Sequence, residues 1–183
     1  MDSLQGHFLV ASSHLGDPNF TRTVVLMIQH NADGAFGVVV NRPSDDDLRD
    51  LWEKVSSVNC TTDDKVYIGG PVPGPLLAIH GDEQLGELEV VAGVYFSAQR
   101  ENLEKIIRQS EHPFRFLIGH SGWGPGQLES ELKQGAWLTT AATREIVFAP
   151  PADVWKHVTN KIGAHLFTEA LGIRDVPDEP GLN

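Results

Sequence analysis

The chain has 183 residues, 40% of them hydrophobic and 21% charged, enough apolar material for the core of one domain and too much for a disordered chain. Its formal net charge is -11, and its 14 Lys and Arg residues are scattered without a basic run, which disfavours direct nucleic-acid binding. No apolar run approaches bilayer length, no basic-then-hydrophobic leader opens the chain, and the lone Cys60 has no partner for an internal disulfide, so the expectation is a cytoplasmic protein.

In chain order, residues 7–11 read as a strand and 12–18 as a loop, within which Asp17 is expected to pair with Arg22. Residues 23–29 are continuously apolar and rich in β-branched side chains, as in a strand covered on both faces. Asp33-Gly34 is a hairpin signal, residues 36–40 supply the returning strand, and Asn41-Arg42-Pro43 stops it. Ser44 followed by three aspartates reads as the start of a helix over 45–56, with Leu48, Leu51, Trp52 and Val55 on its apolar face. A short strand at 65–68 runs into residues 69–75, too rich in Gly and Pro for regular structure. Strands at 76–80 and 90–96 precede a helix over 98–109 that turns Leu103, Ile106 and Ile107 inward. Residues 114–118 read as a strand, 127–134 as a short helix, and 136–141 and 144–148 as strands. A last helix starts near Pro151 and ends near residue 171. Residues 173–183 read as a mobile tail, which leaves a single domain over 1–172. Strands mixed with helices, one hairpin among them, predict an α/β domain with a mixed sheet.

Four groups of residues invite a chemical reading. Gly119-His120-Ser121-Gly122-Trp123 half matches the G-x-S-x-G nucleophile elbow, in which glycines make room for a serine on a sharp turn. Trp123 takes the last glycine position, however, and the further partners could come only from Asp153, His157 or His165; a loop with glycines at special backbone angles is the alternative. Gly122, Gly124 and Gly126 before a helix can cradle an anion with backbone N–H groups. With Gly126 as the cap, Glu129 falls at the third helical position, where its carboxylate reaches back and supplies that anion internally. Arg42, at a strand end, can hold a carboxylate or phosphate or pair with Asp45, Asp46 or Asp47. Gly69-Gly70-Pro71 permits another segment to approach closely and would line a cleft if residues 122–126 lay opposite. The eight histidines form no H-E-x-x-H and no cluster at ligand spacing, and no Walker or dinucleotide fingerprint occurs, so no metal and no cofactor are expected.

Three stretches taken together resemble the YqgE/AlgH family. The first comprises Gly6-His7-Phe8-Leu9-Val10-Ala11, then Asp17-Pro18-Asn19-Phe20-Thr21-Arg22, His30, Gly34-Ala35-Phe36-Gly37 and Val40-Asn41-Arg42-Pro43. The second is Gly69-Gly70-Pro71-Val72, and the third runs from Gly119 through Trp123 and Glu129 to Trp137. The resemblance spans residues 6–148 and implies a mixed, bifurcated sheet folded towards a pseudo-barrel with helices outside. It brings no established activity, only a label of transcriptional regulator without a recognised DNA-binding motif. Where His120 stands the family usually has an aromatic residue, so a His-Ser pair is not a device the family offers.

The resulting expectation is a non-enzymatic module that binds a small molecule or a protein partner and regulates indirectly. Its ligand surface is expected at Asn41, Arg42, Gly69, Gly70, Pro71, Gly122, Trp123, Gly126, Gln127 and Glu129. One alternative is a hydrolase using Ser121 and His120; the other is a regulator acting on DNA, against the net acidity. No motif encodes the ligand, the partner or the oligomeric state.

Overall fold

In the computed structural model, which describes residues 3–12, 15–60 and 62–170 without the side chains of 169 and 170, Val24, Val25, Leu26, Met27 and Ile28 are all buried. Side chains alternate faces along a strand, so five buried in a row require an apolar layer on each side. Val24, Leu26 and Ile28 join Phe8, Val10, Val38 and Val40 in the main core. Val25 and Met27 join Leu9, Val39, Trp123, Leu128 and Trp137 in a second core on the opposite face. The tail expected over 173–183 lies outside the described residues.

The elements are β1 (His7–Ala11), β2 (Val24–Asn31), β3 (Gly34–Val39), β4 (Pro43–Asp47), α1 (Leu48–Val55), β5 (Lys65–Ile68), β6 (Val72–His80), β7 (Leu88–Val91) and β8 (Val94–Ser97). They continue as α2 (Arg100–Ile106), β9 (Phe114–Trp123), α3 (Gln127–Lys133), β10 (Trp137–Ala141), α4 (Arg144–Val147) and α5 (Pro151–Ala170). Among the described residues ten strands form one mixed sheet in the order β10-β1-β2-β3-β9-β6-β8-β7, with β4 and β5 branching from it. The sheet curls without closing. Near its ends the Gln5 side chain donates to the Glu89 carbonyl at 3.1 Å, but β10 and β7 do not pair. α4 and α5 lay Val147, Val154, Val158 and Ile162 on the main core. α1 and α2 cover the other side of β5, β6 and β9 through Leu48, Trp52, Leu103, Ile106 and Ile107. No described helix is long and apolar enough to cross a membrane.

The branch point is built from main chain. The first half of β9 pairs in parallel with β5 (Tyr67↔Leu117, Ile68↔Ile118) and antiparallel with β6. Its second half pairs with β3 (Ala35↔Trp123, Gly37↔Ser121). Gly69 stands at the fork, donating to Ile118 O at 2.8 Å and accepting from Val39 N at 2.7 Å. A Cβ at Gly69 would overlap the Gly119 carbonyl, and one at Gly70 would overlap the His120 main chain. Gly119 has φ +71 and would, with a side chain, meet Gly70 O at 2.8 Å and Val72 O at 2.9 Å.

Several expectations are corrected here. Residues 119–123 are not a loop but continue β9, because β3 offers them a ladder. Residues 72–75 belong to β6, whose register slips between Val72↔His120 and Leu76↔Ile118, so that two extra residues bulge out around Gly74. The aspartate run is the edge strand β4, not a helix start. It pairs with β5, and Lys65 Nζ binds Asp45 O at 2.9 Å and Asp47 Oδ1 at 2.7 Å. The helix therefore begins at Leu48 with Asp47 as its cap, and Val55 is left 48% exposed. Residues 90–96 are split by a turn at Gly93 (φ +72) into the ends of β7 and β8. Residues 144–148 form one helical turn instead of a strand, since the Val147 and Ala149 carbonyls are taken by the Arg115 side chain and not by a neighbouring ladder. The first hairpin turns one residue earlier than its Asp33-Gly34 signal, with Asn31 paired to Gly34.

Gly70→Ala is expected to cost about 3 kcal/mol or more, because backbone cannot yield to the added methyl. Gly126→Ala, which faces open space at φ +72, is expected to cost only roughly 1–2 kcal/mol for its left-handed backbone. Urea denaturation of the two variants checks the difference, and equal losses would count against the fork.

Candidate functional site

The residues singled out by sequence fall into three places. Gly69 and Gly70 lie on Gly119 and His120 with no cleft between the two backbones, and Pro71 follows them on the surface. Gly122, Trp123, Gly126, Gln127 and Glu129 gather around the start of α3. Asn41 and Arg42 follow the end of β3, opposite to the end that pairs with Trp123.

His120 and Ser121 are neighbours on an extended strand, so their side chains leave opposite faces. The imidazole packs on Phe36, with ring centroids 5.1 Å apart, beneath Gly74 of the bulge. Ser121 is 1% exposed, and its Oγ has no hydrogen-bond partner. Its cross-strand partner Gly37 borders Val25 and Met27, which places the hydroxyl on the apolar second core. No base reaches it and no opening leads to it among the described residues. A His-Ser pair does form elsewhere, between His80 and Ser97, both fully buried. His80 Nδ1 accepts from Asp82 N at 3.3 Å, its Nε2 meets Ser97 Oγ at 3.0 Å, and that hydroxyl donates to Leu85 O at 2.7 Å. With its proton committed to a carbonyl, Ser97 is a structural link.

Around α3 the polar groups are spent on each other. Gly126 caps the helix at φ +72, as its spacing suggests, yet Glu129 does not turn back to it. Its Oε1 instead accepts from His30 Nε2 at 3.1 Å, while His30 Nδ1 accepts from Leu4 N at 3.0 Å. The hydrogen bond from its own main-chain N–H, and then that from His30, hold the Glu129 carboxyl below its ordinary pKa. Gln127 bridges Gly124 N at 3.1 Å and Glu131 Oε1 at 2.9 Å. Glu131 Oε2 collects both indole N–H groups, from Trp123 at 2.9 Å and Trp137 at 2.7 Å. An anion cradle at Gly122 to Gly126 would compete with these bonds.

Asn41 is a clamp: Oδ1 accepts from Val24 N at 2.8 Å and Nδ2 donates to Arg22 O at 3.0 Å. It straddles Arg22, the one non-glycine residue with positive φ (+53) among those described. The expected Asp17–Arg22 ion pair does not form. Asp17 caps a short turn through Asn19 N at 2.9 Å, and Arg22 lies 4.8 Å over the Trp155 ring. Arg42 forms no ion pair with Asp45, Asp46 or Asp47 among the described residues; Asp47 goes to Lys65. No described group of three or more His, Cys, Asp or Glu could hold a metal ion.

Sequence reasoning missed Arg115, the only buried arginine among the described residues at 6% exposure. Nη1 donates to Val40 O and Val147 O, each at 2.6 Å, and Nη2 donates to Ala149 O. The guanidinium lies 5.0 Å from the Tyr67 ring centroid. Burial pushes its pKa down, and Tyr67 opposes that. Its signal was a cation alternating with Phe114 and Phe116, on the face those rings leave free. Arg115 lines a groove of about 590 Å³ with Arg108, His112 and Phe114. It also lines an adjoining one of about 290 Å³ with Lys65, Tyr67 and Phe148.

Comparison with known proteins adds the following. The profile of the AlgH-like family matches residues 8–166. A UPF0301 protein of Stenotrophomonas maltophilia is 40% identical over 177 residues, 90% of this chain and 92% of that one. One of Myxococcus xanthus is 36% identical over 168 residues, 89% and 93%. The solution structure of the AlgH protein from Pseudomonas aeruginosa superimposes with a TM-score of 0.70 at 30% identity, covering 99% of this chain and 96% of that one. A crystal structure of a Corynebacterium diphtheriae protein gives 0.69 at 26%, covering 88% and 87%.

Burial lowers the His80 pKa, with Asp82 and Glu87 pulling it up more weakly. The unfolded chain then binds that proton more readily than the folded one, so stability present above about pH 6.5 falls as pH drops below it. Denaturation midpoints should fall between about pH 7.5 and 5.5, and His80→Gln should flatten the fall. An unchanged slope in the variant would contradict the assignment.

Proposed function

The chain belongs to the AlgH-like family, whose members named above carry no assigned activity, and from that premise we propose that it is a non-enzymatic cytoplasmic binding module. It takes a small molecule or a protein partner, and any regulatory effect runs through that partner and not through DNA. The observation that carries this reading is the placement of Ser121. The hydroxyl that sequence offers as a nucleophile is sealed in an apolar core, with the neighbouring imidazole on the other side of the strand. Nucleophilic catalysis needs a hydroxyl in hydrogen-bond reach of its base and open to substrate, and Ser121 has neither.

The segments shared with the family support the same reading. Gly69, Gly70 and Gly119 let main chains touch, Asn41 fixes a turn, and Trp123, Gln127 and Glu131 fasten α3. Such residues fix a shape and move no protons. The ligand surface proposed from sequence, Asn41 and Arg42 with the residues of the fork and of α3, belongs to this reading as the frame that holds the outer surface in place. The regulator-on-DNA alternative has less support, because a net charge of -11 repels a phosphate backbone.

Two measurements test the proposal. A fluorophosphonate probe on the folded protein is expected to leave Ser121 unlabelled; labelling that Ser121→Ala abolishes would return the protein to the hydrolases. In a thermal-shift screen of a metabolite library, a ligand at about one hundred times its Kd should raise Tm by roughly 5–10 °C. A flat response restricts the reading to protein partners.

A further inference from the structure

Burying a cation is costly unless it is paired, and Arg115 lacks a formal counter-charge: no carboxylate meets its guanidinium among the described residues. Three carbonyl oxygens solvate one edge of its guanidinium and Tyr67 covers a face. Both N–H groups of Nη1 and one of Nη2 are thereby used, and a guanidinium has five. Tyr67 takes a further hydrogen bond from the guanidinium, which leaves one N–H, on a side chain that lines both grooves.

The two grooves meet at Asp64, Phe114, Arg115 and Phe148. Their basic residues are Lys65, Arg108, His112 and Arg115, against the single acidic residue Asp64. Lys65 is already tied to Asp47, and the Asp64 carboxylate accepts from the Thr62 hydroxyl. In a chain whose acidic residues outnumber Lys and Arg by 25 to 14, the lining carries Lys65, Arg108 and Arg115 against one carboxylate, with Asp45, Asp46 and Asp47 acting on Lys65. Phe114, Phe148 and Tyr67 add flat apolar walls.

We propose that this double groove is the ligand site of the module: it takes a small organic anion, a carboxylate or phosphate on a flat apolar body. The anion meets the remaining N–H of Arg115 in the field of Arg108, and the body lies against Phe114 and Phe148. A charge-assisted guanidinium N–H suits either oxyanion. The proposal rests on the binding-module reading and deepens it, by naming the place and the chemistry.

An NMR titration of the full chain tests it, following backbone amides and the Arg115 Nε–H resonance. Benzoate supplies the carboxylate arm, phenyl phosphate the phosphate arm, inorganic phosphate the bare ion, and benzamide the uncharged control. Saturable shifts are expected at residues 107–116 and 148–151 and at Arg115 Nε–H with one or both ring-bearing anions. The affinity should be weaker for inorganic phosphate, absent for benzamide, and reduced by added salt. Arg115→Met should abolish the response. Because that change also removes the bonds to Val40, Val147 and Ala149 and could unfold the chain, Arg108→Ala is the second variant. It lies on an exposed position and should weaken binding about threefold with the spectrum otherwise unchanged. The proposal is overturned by no saturable shift with any anion, by shifts confined to another face, or by equal binding of benzamide. If the metabolite screen finds a ligand elsewhere while this groove stays silent, the site is wrong and the module reading stands. If Ser121 is labelled while anions still bind here, the reverse holds.

Discussion

At the fork of the sheet two stretches of main chain touch with no side chain between them, and the rest of the molecule is arranged around that contact. β9 must serve two neighbours on one edge, β5 along its first half and β3 along its second. The changeover takes place at Gly69, whose N–H and C=O hold one strand each. Because Gly69, Gly70 and Gly119 carry no Cβ, the crossing strands approach to hydrogen-bonding distance. The bulge around Gly74 absorbs the mismatch that this creates in β6. From the fork the three cores extend outward: the main one under α4 and α5, the second under α3, the third under α1 and α2.

A branch point made of main chain leaves no room for a catalytic pocket at its centre, and Ser121, one step past the fork, is sealed by the packing that the fork imposes. The polar side chains around the start of α3 are consumed in fastening that helix. Arg115 lies on the same strand, six residues before Ser121, and bonds the Val40 carbonyl just after β3 ends. The fork thus sets the position of the guanidinium against both the β3 terminus and the end of α4.

Much of the fold was legible in the sequence, and the failures have physical causes. β1 and β5 match their predicted limits, and Leu103, Ile106 and Ile107 are buried as their helical spacing indicates. The family resemblance implied the bifurcated sheet, which no periodicity could have shown. Misreadings cluster where tertiary pairing overrides local preference. Gly119 to Trp123 looks like a loop by composition and becomes a strand because β3 pairs with it; Ser44 with Asp45, Asp46 and Asp47 looks like a helix start and becomes an edge strand because β5 pairs with it and Lys65 binds Asp45 O and Asp47. Arg144 to Val147 was too short for its period to decide between strand and helix. The candidate site was less legible. Of the glycines read from sequence as ligand-binding residues, Gly69 and Gly70 bring main chains together at the fork. Arg115 and the His80–Ser97 link draw no attention, because a buried polar residue in an apolar strand is recognisable only once its partners, distant in sequence, are in place.

Native-state hydrogen exchange tests the role of the fork most directly. The amides of Gly69 and Val39, which donate its two crossing bonds, should exchange only through global unfolding, with protection equal to that of the β2 amides and to the stability from denaturation. If they exchange through local opening while the β2 amides stay protected, the crossing is a peripheral contact and the account built on it is wrong.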